Sequence, residues 1–273
     1  MRTKKLLSVI LSGVLILSLA GCGAKAAKED NNIIKVGVVG ENTEQWEPVI
    51  ERLKGEGITL ELVAFSDYSQ PNQALQDGEI DLNSFQHKAY LNQDIKDRGL
   101  DLSIIGETII APLGIYSNKI KSLDELKNDD SIAIPSDATN GGRALKVLEA
   151  AGVIKVDEAA GYTPTLSDIT ENTKNIKFVE VEAAQTPRLL DDVAAAVING
   201  GHAVDAGFNP SEDSIYLEKA NGVSDNPYIN IIVARTEDKD NETYKKVVDY
   251  FRSDEVAKVI EEVYKGAYIA TWK

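Results

Sequence analysis

The chain has 273 residues, and its 44 acidic and 29 basic side chains give a formal net charge of −15. This acidity argues against a nucleic-acid-binding protein, which needs a basic face to displace counterions from phosphates. One cysteine and two histidines exclude an intrachain disulfide and a cysteine-based zinc site. With 43% hydrophobic and 27% charged residues, the chain can form a packed core in one large domain or two small ones.

The amino terminus has the pattern of a secretory signal peptide. Three basic residues precede an apolar run over residues 6–19, which is shorter than the roughly 20 residues that a membrane span needs. Residues 19–22, Leu-Ala-Gly-Cys, resemble the lipobox of bacterial lipoproteins, whose cysteine is lipidated and becomes the first mature residue. We therefore predict a signal peptide over 1–21, acyl chains such as palmitate on Cys22, and a tether over 22–32. The alternative is an uncleaved signal anchor with an incidental cysteine.

After the tether, strands and helices alternate along the chain, which is typical of an α/β protein. Apolar and β-branched runs predict strands over 33–39, 58–65, 100–105, 108–116, 131–134, 176–181, 194–198 and 228–234. Helical spacing, caps and prolines predict helices after Thr43, over 71–76, 141–151 and 187–193, and two C-terminal helices separated by a cap at Ser253. The long runs 108–116 and 228–234 are the candidates for strands that cross between two lobes.

Motifs of common enzymes are absent from the sequence. It contains no G-x-S-x-G, no H-E-x-x-H, no phosphate-binding loop and no G-x-G-x-x-G fingerprint. His87 and His202 lie far apart in the sequence, and no cysteine nucleophile lies near either of them. We therefore expect that the protein is not an enzyme and that it uses no metal ion and no cofactor.

A cluster of aromatic residues lies within residues 68–90, although aromatic residues make up only 6% of the chain. Tyr68 follows a predicted strand, at the edge where open α/β sheets bind ligands. Phe85 and Tyr90 flank His87, and His87 and Tyr90 share one face if a helix begins there. Rings with polar tips suit a small apolar side chain, but ordinary core packing would use the same residues.

Further polar groups lie in apolar surroundings. Residues 134–145 run from a strand through two glycines into a helix, and free N–H groups at a helix start attract anions. Arg143 lies in the first turn, where a cation is unfavourable, and it can hold a carboxylate through two hydrogen bonds. Asn199 and Asn230 interrupt apolar runs, and their side-chain oxygens can accept from an ammonium group. The alternatives are a solvated arginine, a turn cap at Asn199 and a bulge at Asn230. Together with the rings, these groups suit a zwitterionic amino acid with an apolar side chain.

These segments resemble the bacterial methionine-binding lipoproteins of the NlpA family, from about residue 33 to residue 273. The most specific motif is Asp-Leu-Asn-Ser-Phe-Gln-His-Lys-Ala-Tyr-Leu at residues 81–91. Supporting motifs are Asp67-Tyr68 with Pro71-Asn72, Thr-Asn-Gly-Gly-Arg-Ala-Leu at 139–145, Val-Ile-Asn at 197–199 and Pro-Tyr-Ile-Asn at 227–230.

The resemblance implies a two-lobe fold of the periplasmic-binding-protein type, with a ligand cleft between the lobes and two crossing strands. Lobe 1 would comprise residues 33–113 and 227–273, and lobe 2 residues 114–226. The protein would be exported, anchored by Cys22 to the cell membrane and facing outward. It would capture methionine, with the preference between the L and D enantiomers left open, and deliver it to the permease and ATPase of an ABC importer.

The resemblance also implies roles for the residues of the cleft. The side chains that would enclose the thioether are Tyr68, Phe85, His87 and Tyr90. Arg143 would hold the ligand carboxylate with the assistance of Asn140, and Asn199 and Asn230 would hold the amino group and the carboxylate side.

The sequence departs from the family at one position of the expected pocket wall. After Asn199 the family often has a tyrosine near the position of His202, and here Gly200 and Gly201 precede the histidine. The preference among methionine, its D enantiomer and short methionine peptides is therefore open. The alternative functions are binding of a methionine-containing dipeptide or a related amino acid, and a surface antigen or adhesin of the same fold that does not transport.

Overall fold

The computed structural model describes residues 32–220 and 225–273, and strands and helices alternate in it. In chain order the strands are β1 (Ile33–Val39), β2 (Thr59–Phe65), β3 (Leu82–Asn83), β4 (Leu102–Ile110), β5 (Gly114–Tyr116), β6 (Ser131–Pro135), β7 (Lys155–Val156), β8 (Ile169–Glu171), β9 (Lys177–Val181), β10 (Ala195–Ile198), β11 (Tyr216–Leu217), β12 (Ile229–Arg235) and β13 (Ile269–Ala270). The α-helices are α1 (Glu47–Gly55), α2 (Pro71–Gln76), α3 (Lys88–Arg98), α4 (Ala138–Ala150), α5 (Gly200–Asp205), α6 (Pro210–Asp213), α7 (Glu242–Phe251) and α8 (Asp254–Tyr264).

The predicted signal peptide and most of the predicted tether lie outside the described residues, and so does Cys22. Within residues 32–220 and 225–273, no helix has the length and apolarity that a membrane span requires.

The strands form two large mixed sheets and a small hairpin. The six-stranded sheet has the order β13-β4-β12-β3-β1-β2, with β1 parallel to β2 and β3 and with β12 antiparallel to β3 and β4. The five-stranded sheet has the order β11-β5-β10-β6-β9. All strands of the first sheet lie before residue 111 or after residue 228, and all strands of the second lie within residues 114–217. The chain therefore passes from one sheet to the other twice.

Each sheet has its own apolar core. Helices α7 and α8 pack on the six-stranded sheet, and Val247, Phe251 and Ile260 are buried in one cluster with Val36 of β1. The five-stranded sheet packs against α4 through a second cluster that includes Leu145 and Leu148. Each fully buried side chain of this size contributes roughly 1.5–3 kcal/mol. These two cores fix the elements whose ends surround the cavity described below.

Several elements differ from the prediction, and the run 228–234 does not cross between the sheets, because β12 lies wholly in the six-stranded sheet. The predicted strands 100–105 and 108–116 are reorganised into β4 and β5, and the chain leaves the first sheet at residues 111–113, where Pro112 has no N–H for a ladder. The segment 187–193 is not an α-helix. A 3-10 helix covers Ala183–Leu189 instead, because Pro187 lacks the donor that an α-helix interior needs. Helix α4 begins three residues earlier than predicted, for the reason given below.

Candidate functional site

A cavity of about 80 Å³ is lined by residues from both halves of the fold. Its walls come from the ends of β1, β3 and β4 on one side, and from α4 and the junction of β10 with α5 on the other. The eight residues that the sequence singled out all line this cavity: Tyr68, Phe85, His87, Tyr90, Asn140, Arg143, Asn199 and Asn230. A concave site lined by aromatic rings and a few polar side chains is typical of small-molecule binding.

Three rings form an aromatic end of the cavity, which we call the aromatic box. The ring centroids of Tyr68 and Phe85 lie 5.8 Å apart, and Tyr90 lies edge-on at 6.0 Å from each of them. The Tyr90 hydroxyl donates to the Tyr68 backbone oxygen over 3.0 Å. Burial raises the pKa of both tyrosines, so both hydroxyls are neutral at physiological pH. The rings support one another at the spacing that favourable aromatic pairs adopt.

His87 connects the aromatic box to the polar end of the cavity. It is the N-cap of α3, and its Nδ1 accepts from the Tyr90 backbone N–H over 3.1 Å. The neutral ring therefore carries its proton on Nε2, which lies 3.2 Å from Asn140 Oδ1 and donates to it. Burial, with a smaller contribution from the positive charge of Arg143, lowers the pKa of His87 to about 3. The side chain is thus an uncharged donor at neutral pH.

A buried cluster of amides holds the loop that carries Phe85 and His87. Asn72 Nδ2 donates to Gln86 Oε1 over 2.8 Å, and Asn83 Nδ2 donates to Asn72 Oδ1 over 2.9 Å. Gln86 Nε2 also donates to Asn83 Oδ1 over 3.0 Å. Because an unmade hydrogen bond at a buried amide costs about 1–3 kcal/mol, this cluster fixes the path of the chain between β3 and α3.

The start of α4 is not the open anion site that the sequence suggested. Asp137 is the N-cap, and its Oδ1 accepts from the backbone N–H of Asn140 over 2.9 Å, so a carboxylate of the chain itself takes this position. The glycine pair serves close packing instead. A Cβ on Gly141 would lie 2.7 Å from the Pro135 oxygen, and one on Gly142 would lie 2.8 Å from Thr163 Cα.

Asn140 lies at the centre of the polar end. Its Oδ1 accepts from His87 and, over 2.7 Å, from Asn199 Nδ2. Its Nδ2 donates to both carboxylate oxygens of Asp137, over 3.1 and 3.0 Å. The Asn140 side chain is therefore occupied with orienting His87 and Asn199, and it acts on the cavity through them.

The two other asparagines that the sequence singled out both border the cavity. Asn199 is the N-cap residue of α5, but its side chain turns to Asn140, and its buried Oδ1 has no hydrogen-bond partner within the described part of the chain. Asn230 lies where the pairing of β12 with β4 shifts register, and it forms an isolated bridge with His87. The predicted alternative, a bulge at Asn230, and the predicted place in the cavity wall therefore both hold for this residue.

The guanidinium of Arg143 is buried, with only 2% of the residue exposed. Its Nε donates to Glu218 Oε1 over 3.0 Å, and its Nη2 donates to Glu218 Oε2 over 2.6 Å and to the Ala111 oxygen over 3.0 Å. The Tyr228 ring lies 4.3 Å from the guanidinium carbon. These contacts use Nε and Nη2, and they leave Nη1 as the nitrogen for a ligand in the cavity.

Glu218 and the Tyr228 ring are site residues that were not predicted from the sequence. Tyr228 belongs to the supporting motif at residues 227–230, and this motif was the sequence signal that could have indicated its role. For Glu218 the local sequence gives no signal, because its partner Arg143 is 75 residues away.

His202, the residue at which the sequence departs from the family, packs on the aromatic box. Its ring centroid lies 4.8 Å from that of Tyr68, at an interplanar angle of 31°. Its buried Nε2 has no hydrogen-bond partner among residues 32–220 and 225–273, and Nδ1 lies 4.0 Å from Asp205 Oδ2. Burial lowers the pKa of His202, although Asp205 and Asp67 oppose this shift. The histidine thus forms an uncharged part of the cavity wall.

Two mixed α/β sheets, joined by two crossings of the chain and sharing one lined cavity, define a two-lobe solute-binding protein. The described residues contain no group of three His, Cys, Asp or Glu side chains that could hold a metal ion.

The chain belongs to the NlpA lipoprotein family, which matches residues 34–272. It is 47% identical over 266 residues to the D-methionine-binding lipoprotein MetQ of Salmonella typhimurium, covering 95% of this chain and 96% of that protein. A crystal structure of the methionine-binding protein MetQ superposes with a TM-score of 0.85 at 45% identity, over 89% of this chain and all of that one (100%). A nutrient-binding protein from Burkholderia cenocepacia bound to methionine gives a TM-score of 0.82 at 42% identity, over 87% of this chain and 99% of that one.

These comparisons confirm the family and the α/β fold that the sequence predicted. The family is one of lipoproteins, and the relatives described above are named as binding proteins rather than enzymes. Membership therefore makes this chain an exported lipoprotein of the substrate-binding type.

Proposed function

We propose that this protein binds methionine as a zwitterion in the described cavity and delivers it to an ABC importer. The observation that carries the proposal is the buried guanidinium of Arg143 in the same cavity as the aromatic box. A buried cation beside apolar rings fits a ligand with a carboxylate at one end and an uncharged apolar side chain at the other.

At the polar end, Arg143 holds the carboxylate of the ligand through Nη1. The ammonium group donates to Asn199 Oδ1, the buried acceptor that has no partner within the described residues. Asn230 lines the same end from β12. Hydrogen bonds to charged groups contribute about 1.5–3 kcal/mol each when water is excluded, so these contacts supply much of the affinity.

At the other end, the aromatic box and His87 surround the thioether. Contacts between sulfur and aromatic rings add about 0.3–1.5 kcal/mol, beyond roughly 1.5–3 kcal/mol for burial of the side chain. Because His87 is uncharged, the ligand side chain can be buried at this end without the cost of desolvating a formal charge.

The two sheets are the cores of two lobes, residues 33–113 with 227–273 and residues 114–226, which close on the ligand. This division is supported by the strands, since those of the six-stranded sheet all lie in the first set of residues and those of the five-stranded sheet all lie in the second. In the closed form the lobes present a joint surface that a permease with its ATPase recognises. Cys22 holds the protein at the cell membrane, facing outward, within diffusion range of that permease.

The proposal is tested by identifying what the protein carries. Purified protein is unfolded, and the released small molecules are identified by mass spectrometry. Calorimetry then compares L-methionine, D-methionine, glycyl-methionine and leucine on the ligand-free protein. We expect release of methionine and one tight site for it, with the dipeptide weaker because its peptide bond moves the ammonium group away from the carboxylate that Arg143 holds. Release of a compound that is not an amino acid, or tighter binding of the dipeptide, would contradict the proposal.

A further inference from the structure

Glu218 is the partner of Arg143 and lies where the two crossings of the chain are hydrogen-bonded to each other. Its two carboxylate oxygens accept from Nε and Nη2 of Arg143. Oε2 also accepts from the Leu113 backbone N–H over 2.9 Å, and the Glu218 backbone N–H donates to the Leu113 oxygen over 2.9 Å. Leu113 belongs to the first crossing and Glu218 begins the second. The carboxylate is therefore fixed before any ligand arrives and cannot swing away from the guanidinium without breaking these bonds.

The charges at the cavity are few. Among the described residues that line it, Arg143 is the one side chain with a full formal charge at neutral pH, since both histidines have lowered pKa values. No Asp or Glu lines this cavity within the described ranges, so no lining carboxylate faces the ammonium group of a ligand. Behind the lining, Asp137 accepts from Asn140 and Glu218 pairs with Arg143, so the charge next to the expected ligand carboxylate is that of the Arg143–Glu218 pair.

We infer that Glu218 determines specificity by making the site selective for zwitterions over simple carboxylic acids, an inference that rests on the proposed function. The ion pair of Arg143 and Glu218 is neutral, and a zwitterion keeps the buried group neutral. A monoanion that lacks the ammonium group would leave one uncompensated negative charge in a water-excluded site. With Glu218 made neutral, the balance reverses, because a monoanion would then neutralise Arg143 and a zwitterion would leave one positive charge.

The experiment compares methionine with 4-(methylthio)butanoate, which is the same acid without its amino group. Calorimetry at pH 7.5 measures both on the wild-type protein, on E218Q and on E218D. E180Q is the matched control, since Glu180 is exposed on β9, at the opposite edge of the same sheet from β11. We expect E218Q to lower the ratio of methionine affinity to acid affinity at least about tenfold, as a unit charge a few ångströms away requires. E218D and E180Q keep the wild-type ratio within about threefold, whatever happens to the two affinities separately.

The outcomes separate this inference from the proposed function. If the wild type binds methionine and a folded E218Q keeps the same ratio, the inference is overturned and the proposed function stands. If the wild type binds neither compound, both are overturned. If E218Q is unstable, thermal unfolding with each ligand decides, because the stabilisation by the acid relative to that by methionine must be larger in this variant than in the wild type. The same relative stabilisation in both proteins would overturn the inference.

Discussion

The two ends of the cavity are constructed in different ways. The aromatic box comes from one stretch of chain, residues 68–90, and its rings are held by contact with one another. The polar end is assembled from α4, the start of α5 and the two crossings, and its groups are held by hydrogen bonds in series from Asp137 through Asn140 to Asn199. Packing contacts are numerous and replaceable, whereas each bond in a buried series has no substitute. We therefore expect substitutions at the polar end to weaken binding more.

The largest effect is expected for Arg143→Ala. The change removes the carboxylate contact and leaves the half-buried Glu218 without its cation, so methionine affinity should fall by about 100-fold or more. Calorimetry measures it, with the exposed Arg188→Ala as the control for loss of one arginine. A loss of only a few-fold would show that this arginine does not hold the ligand.

Asn140→Ala tests whether the series of hydrogen bonds matters without direct contact to the ligand. It removes the acceptor for His87 and Asn199, and affinity should fall about 10- to 100-fold while the fold persists. The exposed Asn118→Ala serves as the control in the same titration. An unchanged affinity would mean that His87 and Asn199 find their positions without Asn140.

Phe85→Leu should have a smaller effect. The substitution keeps an apolar side chain and loses the sulfur–aromatic contact, so affinity should fall about 2- to 10-fold in the same calorimetric assay. The affinity of Phe85→Tyr, which keeps the ring, should fall less. If Phe85→Leu weakens binding as much as Arg143→Ala, the two ends do not differ in the way described here.

The smallest expected effect is on the pH dependence of the free energy of unfolding. Folded His87 has a pKa of about 3, and the unfolded chain has a value near 6.5. Between pH 7.5 and 5.5 the unfolded state takes up a proton that the folded state does not, so the free energy of unfolding falls by about 1.4 kcal/mol.

His87→Asn, which retains a capping side chain, should remove that fall, as measured by urea unfolding at the two pH values. The comparison variant is His202→Asn, which leaves the His87 step in place and removes only the contribution of the lowered pKa of His202. Equal pH dependence in the wild type and His87→Asn would contradict the lowered pKa.

The elements that local sequence signals define were predicted correctly. Helix α2 has the predicted bounds, because Pro71 marks its first turn, and α8 begins after the predicted cap at Ser253, whose hydroxyl accepts from Val256. The start of α4 was wrong because two glycines suggested a loop, whereas Asp137 had already capped the helix.

The residues of the site also divide into those that local sequence indicates and those that it does not. The rings within residues 68–90 were visible as a local enrichment of aromatic residues, and β12 showed its irregularity at Asn230. The role of Asn140 as a junction could not be read from sequence, because its partners His87 and Asn199 are 53 and 59 residues away. Contacts of this kind depend on how the two sheets meet, and no local pattern records it.

The first crossing, residues 111–113, has a consequence for how the two sheets can move. Each residue has two soft backbone dihedrals and the ring of Pro112 removes one, so this segment offers about five rotatable bonds. The second crossing is joined to it where Glu218 and Leu113 exchange hydrogen bonds. Bending of the chain at this first crossing is thus limited to the few rotatable bonds around Pro112.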